Sequence, residues 1–206
     1  MKPASKKNIL TTQVLKNGSV NITQGRKLIA YIAPEIFTEG WAKNTVADRL
    51  KAPGFDGIVA LPGGGRIGLQ TVVTAGKTGI RFRFAMTPLD AVKVIHIRLV
   101  INLPYKDWWE NPYTLGKSVG RIPTEAPKNN RLAESQSVPL TLGPSAAHNG
   151  LVLRLKAPGL YTVLQDNRQW TPFLHAFVNR HEPNDHAWKW AAGDKKVYGF
   201  TLHSFG

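Results

Sequence analysis

The sequence predicts an all-β fold, built as a two-sheet antiparallel sandwich. Apolar and polar residues alternate along much of the chain, as expected of strands with one buried face. Glycine and proline, 19 and 14 of the 206 residues, separate the alternating segments and leave no room for a long helix. All-β domains commonly reach about 200–250 residues. We therefore treat residues 1–206 as a single β-sandwich domain.

The alternation predicts nine strands, each bounded by turn residues. Phe82, Phe84 and Met86 share one face of a predicted strand, and Arg81 and Arg83 share the other. The nine segments are Leu28–Ala33, Gly57–Leu61, Ile67–Val73, Ile80–Met86, Val92–Asn102, Leu151–Leu155, Tyr161–Gln165, Phe173–Asn179 and Lys196–Ser204.

Turn residues predict the connections. Pro62–Gly65 and Ala75–Gly79 are glycine-rich and lie between alternating segments, so we expect them to be hairpin tips. Short helical turns are expected around Ala42–Leu50. Residues 104–144 are rich in Pro, Asn, Ser and Lys and show little periodicity, so we expect a long inserted crossover loop. Loops of that length inside a compact domain are often functional.

Composition excludes several classes of protein. The chain has no cysteine, which rules out disulfides, cysteine nucleophiles and thiolate metal sites. No span of 18 apolar residues is present, so we expect no membrane insertion. A net charge of +14 would attract nucleic acid, an anionic surface or an acidic polysaccharide. The charge accompanies no nucleic-acid recognition motif, and the sequence therefore does not favour nucleic acid as the partner.

Aromatic and polar residues mix in two segments that could bind a sugar. Trp108, Trp109 and Tyr113 lie close to Asp107, Glu110 and Asn111 within the predicted loop. Flat aromatic rings can stack on sugar rings while nearby amides and carboxylates bond the hydroxyls. Alternatively, the two tryptophans close the edge of the core. Trp41 also lies close to carboxylates in the sequence, at Glu35 and Glu39. We expect Trp41 either to pack against the protein or to bind a ligand.

A polar segment follows the predicted strand Tyr161–Gln165. Gln165, Asn167 and Arg168 could orient hydroxyl groups or bind an anion such as a uronate. Asp and Asn also form ordinary turns, and an Asp–Arg pair can simply stabilise a corner.

Histidines and carboxylates provide the candidates for catalysis. His181 and His186 could act as general acid or base, since histidine titrates near neutral pH. They are five residues apart across a proline, which matches no common metal-ligand spacing, and we expect no metal and no cofactor. His175 alternates with Phe173 and Phe177 and can simply face the core. Two further candidates are Glu35 and Glu39, because glycosidases use paired carboxylates.

The order of several segments resembles the galactose-mutarotase-like β-supersandwich, a domain attached to many bacterial glycoside hydrolases and polysaccharide lyases. The segments are Tyr31–Phe37 (YIAPEIF), Arg81–Pro88 (RFRFAMTP), Asn102–Tyr105 (NLPY), Leu164–Arg168 (LQDNR) and Trp190–Leu202 (WAAGD and YGFTL). The likeness spans most of residues 31–205. It implies a fold and a carbohydrate context, and it implies no particular reaction.

These observations together predict a carbohydrate-associated sandwich, a polysaccharide-binding or accessory module of glycan breakdown. The expected partner is a polysaccharide or oligosaccharide, including an acidic one. The first alternative is a small polysaccharide hydrolase or lyase, and the second is a basic nucleic-acid-binding protein. The first 25 residues lack the apolar segment of a signal peptide. This fits an intracellular protein, a mature secreted protein or a domain of a larger chain, and the carbohydrate interpretation favours an extracellular or periplasmic location.

Overall fold

A computed structural model describes residues 10–43, 45–51, 55–76, 79–180 and 186–205. Two large antiparallel sheets pack as a sandwich, which confirms the predicted fold class. Within the described ranges, no helix is long and apolar enough to cross a membrane. The strands are β1 Leu10–Val14, β2 Val20–Gln24, β3 Lys27–Phe37, β4 Thr45–Lys51, β5 Phe55–Ala60, β6 Arg66–Gly76, β7 Gly79–Pro88, β8 Val92–Val94, β9 His96–Pro104, β10 Pro112–Leu115, β11 Ser118–Arg121, β12 Arg131–Gln136, β13 Leu140–Ser145, β14 Leu151–Lys156, β15 Tyr161–Asp166, β16 Phe173–Asn179, β17 Trp188–Trp190 and β18 Lys196–Phe205.

Sixteen of the eighteen described strands form two large sheets. The seven-stranded sheet has the order β1-β2-β3-β9-β16-β15-β12, and the nine-stranded sheet has the order β11-β10-β13-β14-β18-β7-β6-β5-β4. A two-stranded sheet pairs β17 with β8. Short 3₁₀ helices lie at Glu39–Trp41, Tyr105–Asp107 and Ala146–His148.

The core lies between the two large sheets and is filled by alternate residues of each strand. Phe82, Phe84 and Met86 of β7 are buried, while Arg81 and Arg83 are exposed, as the alternation predicts. The Phe82 ring stacks on the Phe200 ring of β18 with centroids 4.8 Å apart. Rings of this size dominate core stability because each removes a large apolar area from water.

The predicted helical turns around Ala42–Leu50 are wrong. The backbone of β4 instead extends the nine-stranded sheet, with Thr45 opposite Ala60 and Val46 opposite Val59. The edge of β5 offers unpaired backbone groups, and β-branched residues such as Thr45 and Val46 favour a strand. A 3₁₀ turn lies just before this segment, at Glu39–Trp41.

Residues 104–144 are more regular than expected, because they contain β10, β11, β12 and the first part of β13. The chain passes from the nine-stranded sheet to β12 at the edge of the seven-stranded sheet and then returns. β10 and β11 have only four residues each, too few for alternation to stand out in the sequence. Their pairing becomes evident only when the neighbouring strands are in place.

The expected hairpin tips are confirmed. The backbone N–H of Leu61 donates to the carbonyl of Gly65 across the first tip, and Gly76 lies opposite Gly79 at the second, on either side of residues 77–78, which are outside the described residues. Gly65 has a φ of +97°, and a Cβ there would collide with the Val92 side chain. This position therefore requires glycine.

We expect Phe82→Ala to lower the free energy of unfolding by about 3–5 kcal/mol, because it leaves a cavity beside Phe200. The matched control is Phe205→Ala, which removes the same ring from a site that is 51% exposed on the neighbouring strand. It should cost less than about 1 kcal/mol. Urea unfolding of both variants measures the difference. Equal losses would contradict this description of the core.

Candidate functional site

The outer face of the seven-stranded sheet, which points away from the sandwich core, carries buried polar side chains. Register places four polar side chains, two of them buried, side by side on adjacent strands: Tyr31 of β3 opposite Asn102 of β9, Asn102 opposite His175 of β16, and His175 opposite Gln165 of β15. Asn102 and His175 are buried, and Asn102 Nδ2 donates to the Tyr31 carbonyl over 3.1 Å. Polar side chains in these positions need partners, because an unpaired polar group away from water is costly.

Two further rows lie on the same face. The next row is apolar, and it contains Ala33, Val100, Phe177 and Val163. The row beyond it contains Glu35, Arg98, Asn179 and Tyr161. Rows two residues apart along a strand are separated by about 6.8 Å. We call the eight side chains of these two rows, together with Asn102 and His175, the outer polar face.

Glu35 is the centre of an ion-pair group on this face. Its Oε2 accepts from Arg98 at 2.7–2.8 Å, and its Oε1 accepts from Lys43 Nζ at 2.8 Å. The Arg98 guanidinium also lies between the Phe37 and Phe177 rings, 4.9 and 4.8 Å from their centroids. Burial by itself raises the pKa of Glu35, but Arg98 and Lys43 outweigh burial and hold the pKa below its ordinary value.

His175 is held neutral in the same region. Burial is the largest cause and the positive charge of Arg98 adds to it, and together they lower the pKa of His175 to about 4. Asn167 Nδ2 donates to His175 Nδ1 over 2.7 Å. The opposite ring nitrogen, Nε2, then carries the proton and lies 3.3 Å from the Thr171 hydroxyl.

Two buried amide oxygens on this side of the sheet are left without a hydrogen-bond partner. They are Asn167 Oδ1 and Asn179 Oδ1, and neither has a partner among the described residues. Both asparagines are less than 10% exposed. Buried acceptors of this kind are normally satisfied by water or ligand.

Exposed tryptophans lie at the two ends of the strands that form this face. Trp41 is 55% exposed and contacts Phe37 edge-on, with centroids 5.3 Å apart, and it also lies 6.1 Å from the His96 ring. Trp170 is 63% exposed in the turn that follows β15, where its backbone N–H donates to the Asn167 carbonyl. Exposed indole rings of this kind can stack on a ligand.

Four of the sequence-predicted site residues belong to this region: Glu35, Trp41, Gln165 and Asn167. Sequence reasoning did not select Arg98, Asn102 or Asn179. It placed His175 on one strand face with Phe173 and Phe177, which is correct, but that face is the outer one and not the sandwich core. The feature of the sequence that could have identified these three residues is the presence of polar residues at alternate positions of otherwise apolar strands.

Arg168 stabilises a corner of the fold. It pairs with the buried Asp166 at 2.8 Å, donates to the carbonyls of Pro123 and Thr124, and stacks 4.0 Å from the Tyr105 ring. Its donors are therefore engaged within the protein. Trp109, 40% exposed, contacts the Tyr105 ring edge-on, with centroids 5.7 Å apart.

Trp108 and Tyr113 point into the protein. Trp108 has no exposed surface and lies 5.6 Å from the buried His148 ring. Tyr113 belongs to the core, and its hydroxyl donates to the Leu132 carbonyl over 3.2 Å. Stacking of either ring on a sugar stays a prediction that would require the ring to become accessible.

The remaining candidates are separate from the outer polar face. Glu39 is exposed in its 3₁₀ turn, and His186 is exposed just before β17. His181 lies outside the described residues. Within the part of the chain that the structure describes, no three His, Asp or Glu side chains are grouped as metal ligands.

Comparisons with known proteins identify the fold. No protein-family model and no curated protein matches the sequence. The chain is similar to the crystal structure of a galactose mutarotase-like protein from Lactobacillus casei, with a TM-score of 0.50 and 10% identity, covering 98% of each chain. It also matches a putative aldose 1-epimerase from Escherichia coli with a TM-score of 0.45 and 8% identity, covering 96% of this chain and 99% of that one. The chain therefore has a mutarotase-like fold, which confirms the resemblance seen in the sequence.

We expect Arg98→Ala to lower the free energy of unfolding by about 3–5 kcal/mol, because it strips Glu35 of its buried partner. Lys43→Ala is the matched control, since it breaks an ion pair of the same carboxylate from a side chain that is 55% exposed. That variant should cost about 1 kcal/mol or less. Chemical unfolding at pH 7 compares the two variants. A larger loss of stability for Lys43→Ala would contradict the conclusion that Arg98 is the more important partner of Glu35.

Stability should fall between pH 6.5 and pH 4 because of His175. In that window the unfolded chain binds a proton on this imidazole and the folded chain does not, so folding is penalised as pH drops. The contribution is about 3 kcal/mol. In His175→Gln the free energy of unfolding should depend less on pH over this window, as measured by urea unfolding at several pH values. Parallel profiles for the two proteins would contradict the prediction.

Proposed function

We propose that this protein binds a carbohydrate on the outer polar face. One observation carries the proposal: two buried amide oxygens, Asn167 Oδ1 and Asn179 Oδ1, lack partners on the outer side of the seven-stranded sheet. Sugar hydroxyls are donors of the kind that these acceptors require. The mutarotase-like fold supports a sugar as the ligand, since the similar structure from Lactobacillus casei is described as galactose mutarotase-like.

The chemistry around the two amides also suits a sugar. The apolar row that contains the buried Val100 and Phe177 separates two polar rows, so a ligand that gained access to this face could have its C–H groups and hydroxyls contacted together. Trp41 offers an exposed indole at one end. Binding sites for small polar ligands typically combine such apolar surface with a few convergent polar groups.

Binding is favoured over catalysis by the state of the ionisable groups. Both carboxylate oxygens of Glu35 are engaged by Arg98 and Lys43, and its lowered pKa makes it a weak base. Both ring nitrogens of His175 lie within hydrogen-bonding distance of neighbouring side chains. A general acid or base works best with a pKa near the operating pH, and neither group meets that condition.

An acidic sugar is the finer form of the proposal. Glu35, Arg98 and Lys43 carry a combined charge of one positive unit, and Lys43 is exposed at the rim. A uronate carboxylate could approach Lys43 without displacing Arg98. The alternative of a hydrolase or lyase, and the second alternative of a nucleic-acid binder, are both separated from this proposal by the experiment below.

The test measures retention of the purified chain in gels that contain galactan, xylan, polygalacturonate or alginate, followed by calorimetry on any glycan that retains it. Asn179→Ala should weaken binding about three- to tenfold, the loss expected for one hydrogen bond. Trp41→Ala should also weaken it. Asn129→Ala is the matched control, because this exposed asparagine only caps a turn, and its affinity should equal that of the unchanged protein.

Each sample is also assayed for new reducing ends and for unsaturated products. Product release would replace the binding proposal with the enzyme alternative. The absence of retention on every glycan would overturn the proposal altogether. Thermal unfolding of Asn179→Ala is run in parallel, so that loss of binding through loss of fold is recognised.

A further inference from the structure

Most strands of the nine-stranded sheet carry Lys or Arg or no charge, and they carry no Asp or Glu. The function proposed above does not use this feature. Seven of its neighbouring strands, from β11 through β10, β13, β14, β18 and β7 to β6, contain no Asp or Glu. The first carboxylate beyond them is Asp56 on β5. The cations of the seven strands are Arg66, Arg81, Arg83, Arg121, Arg154, Lys156 and Lys196.

Four of these cations form a stripe across the outer face. Lys156 of β14 and Arg81 of β7 lie level with each other on either side of Thr201 of β18. Arg154 lies two residues from Lys156 toward one end, and Arg83 lies two residues from Arg81 toward the other end. We call these four residues the basic stripe.

The basic stripe is long enough for several groups of a linear ligand. Its ends are two strand spacings of about 4.8 Å apart across the strands and two dipeptide rises of about 6.8 Å apart along them. The diagonal between the ends is therefore about 17 Å. Thr201 and His203 of β18 lie between the cations of β14 and those of β7. The stripe therefore runs diagonally over three hydrogen-bonded strands.

The charges of the stripe are exposed and largely unpaired. All four side chains are exposed. Arg83 donates to Gln70 Oε1 over 3.1 Å. Arg81, Arg154 and Lys156 form no ion pair with any residue in the described ranges. Like charges held close together on a rigid sheet repel one another, and an anionic ligand would relieve this repulsion.

We propose that the basic stripe is a docking surface for a linear anionic polysaccharide that carries repeated carboxylate or sulfate groups. Complementary charge would steer such a polymer to this face and set its direction along the stripe. The site is independent of the outer polar face, because the two lie on opposite sides of the sandwich. It would give the protein a second contact with an acidic glycan.

The described residues on this face suit a polysaccharide better than a nucleic acid. Proteins that bind single strands present several aromatic rings on which successive bases stack. Here Phe205, 51% exposed, lies beside the stripe with the His203 ring stacked against it, and no Trp or Tyr of the three stripe strands is exposed. The Thr201 hydroxyl provides a neutral hydrogen-bonding group between the cations, and Thr74 of β6 provides another beside Arg81.

The test compares two triple variants with the same loss of charge. The first is Arg81→Gln, Arg154→Gln and Lys156→Gln combined. The matched control is Lys16→Gln, Lys128→Gln and Lys189→Gln combined, three exposed lysines outside the nine-stranded sheet. Calorimetry at 50 and 300 mM NaCl measures binding of heparin, polygalacturonate, uncharged dextran and single- and double-stranded DNA of 20 nucleotides.

The stripe variant should bind heparin or polygalacturonate about tenfold or more weakly, as expected for the loss of three exposed ion pairs. The control variant should lose less than about twofold, dextran should not bind, and salt should weaken the complex. Equal losses for both triple variants would overturn the proposal in favour of net charge alone. Tighter binding of DNA than of either polyanionic glycan, or no binding of any polyanion, would overturn it as well.

The same two glycans also report on the outer polar face separately. Asn179→Ala removes an acceptor from the outer polar face and leaves the basic stripe intact, so it should keep the salt-sensitive binding of heparin. If Asn179→Ala has no effect on any glycan while the stripe variant abolishes binding, the function proposed for the outer polar face fails and the stripe survives. If Asn179→Ala weakens glycan binding while the stripe variant has no effect, the proposal for the basic stripe fails and the function proposed for the outer polar face is supported.

Discussion

The antiparallel register of β3, β9 and β16 is the constraint on which the rest of the structure depends. Side chains alternate between the two sides of a sheet, so a shift of one residue would exchange the buried core for the outer polar face. In the observed register, Leu99 and Ile101 of β9 enter the core, while Arg98 and Asn102 lie on the other side. The register of these three strands therefore determines both which apolar residues fill the core and which polar groups lie together on the outer polar face.

Burial on the outer side follows from that register and requires compensation. Glu35 would be strongly destabilising alone, and it is tolerated because Arg98 and Lys43 occupy both of its oxygens. Arg98 in turn is held between Phe37 and Phe177. The amide oxygens of Asn167 and Asn179 receive no such compensation from the described residues. Ion pairing therefore compensates the burial of Glu35, and no comparable interaction compensates the burial of these two amides among the described residues.

The two large sheets present different chemistry to their surroundings. The outer polar face is largely buried and close to charge balance, whereas the outer side of the nine-stranded sheet is exposed and cationic. The seven strands that carry no carboxylate contain seven Lys and Arg residues, which is half of the net charge of +14. The two binding surfaces that we propose are compatible with each other, because exposed charges and buried polar groups respond to different features of a ligand.

The sequence by itself determined the fold class, the longer strands and the turns between them, because alternation and glycine are local signals. It indicated Glu35, Gln165 and Asn167 from residue type and placement. It did not reveal the short strands β10 and β11, which have too few residues to show a period, nor β4, which depends on the edge of β5. Only the tertiary structure decided that Arg98 and Asn179 join Glu35, since residues more than sixty positions apart in the chain become neighbours through strand pairing alone.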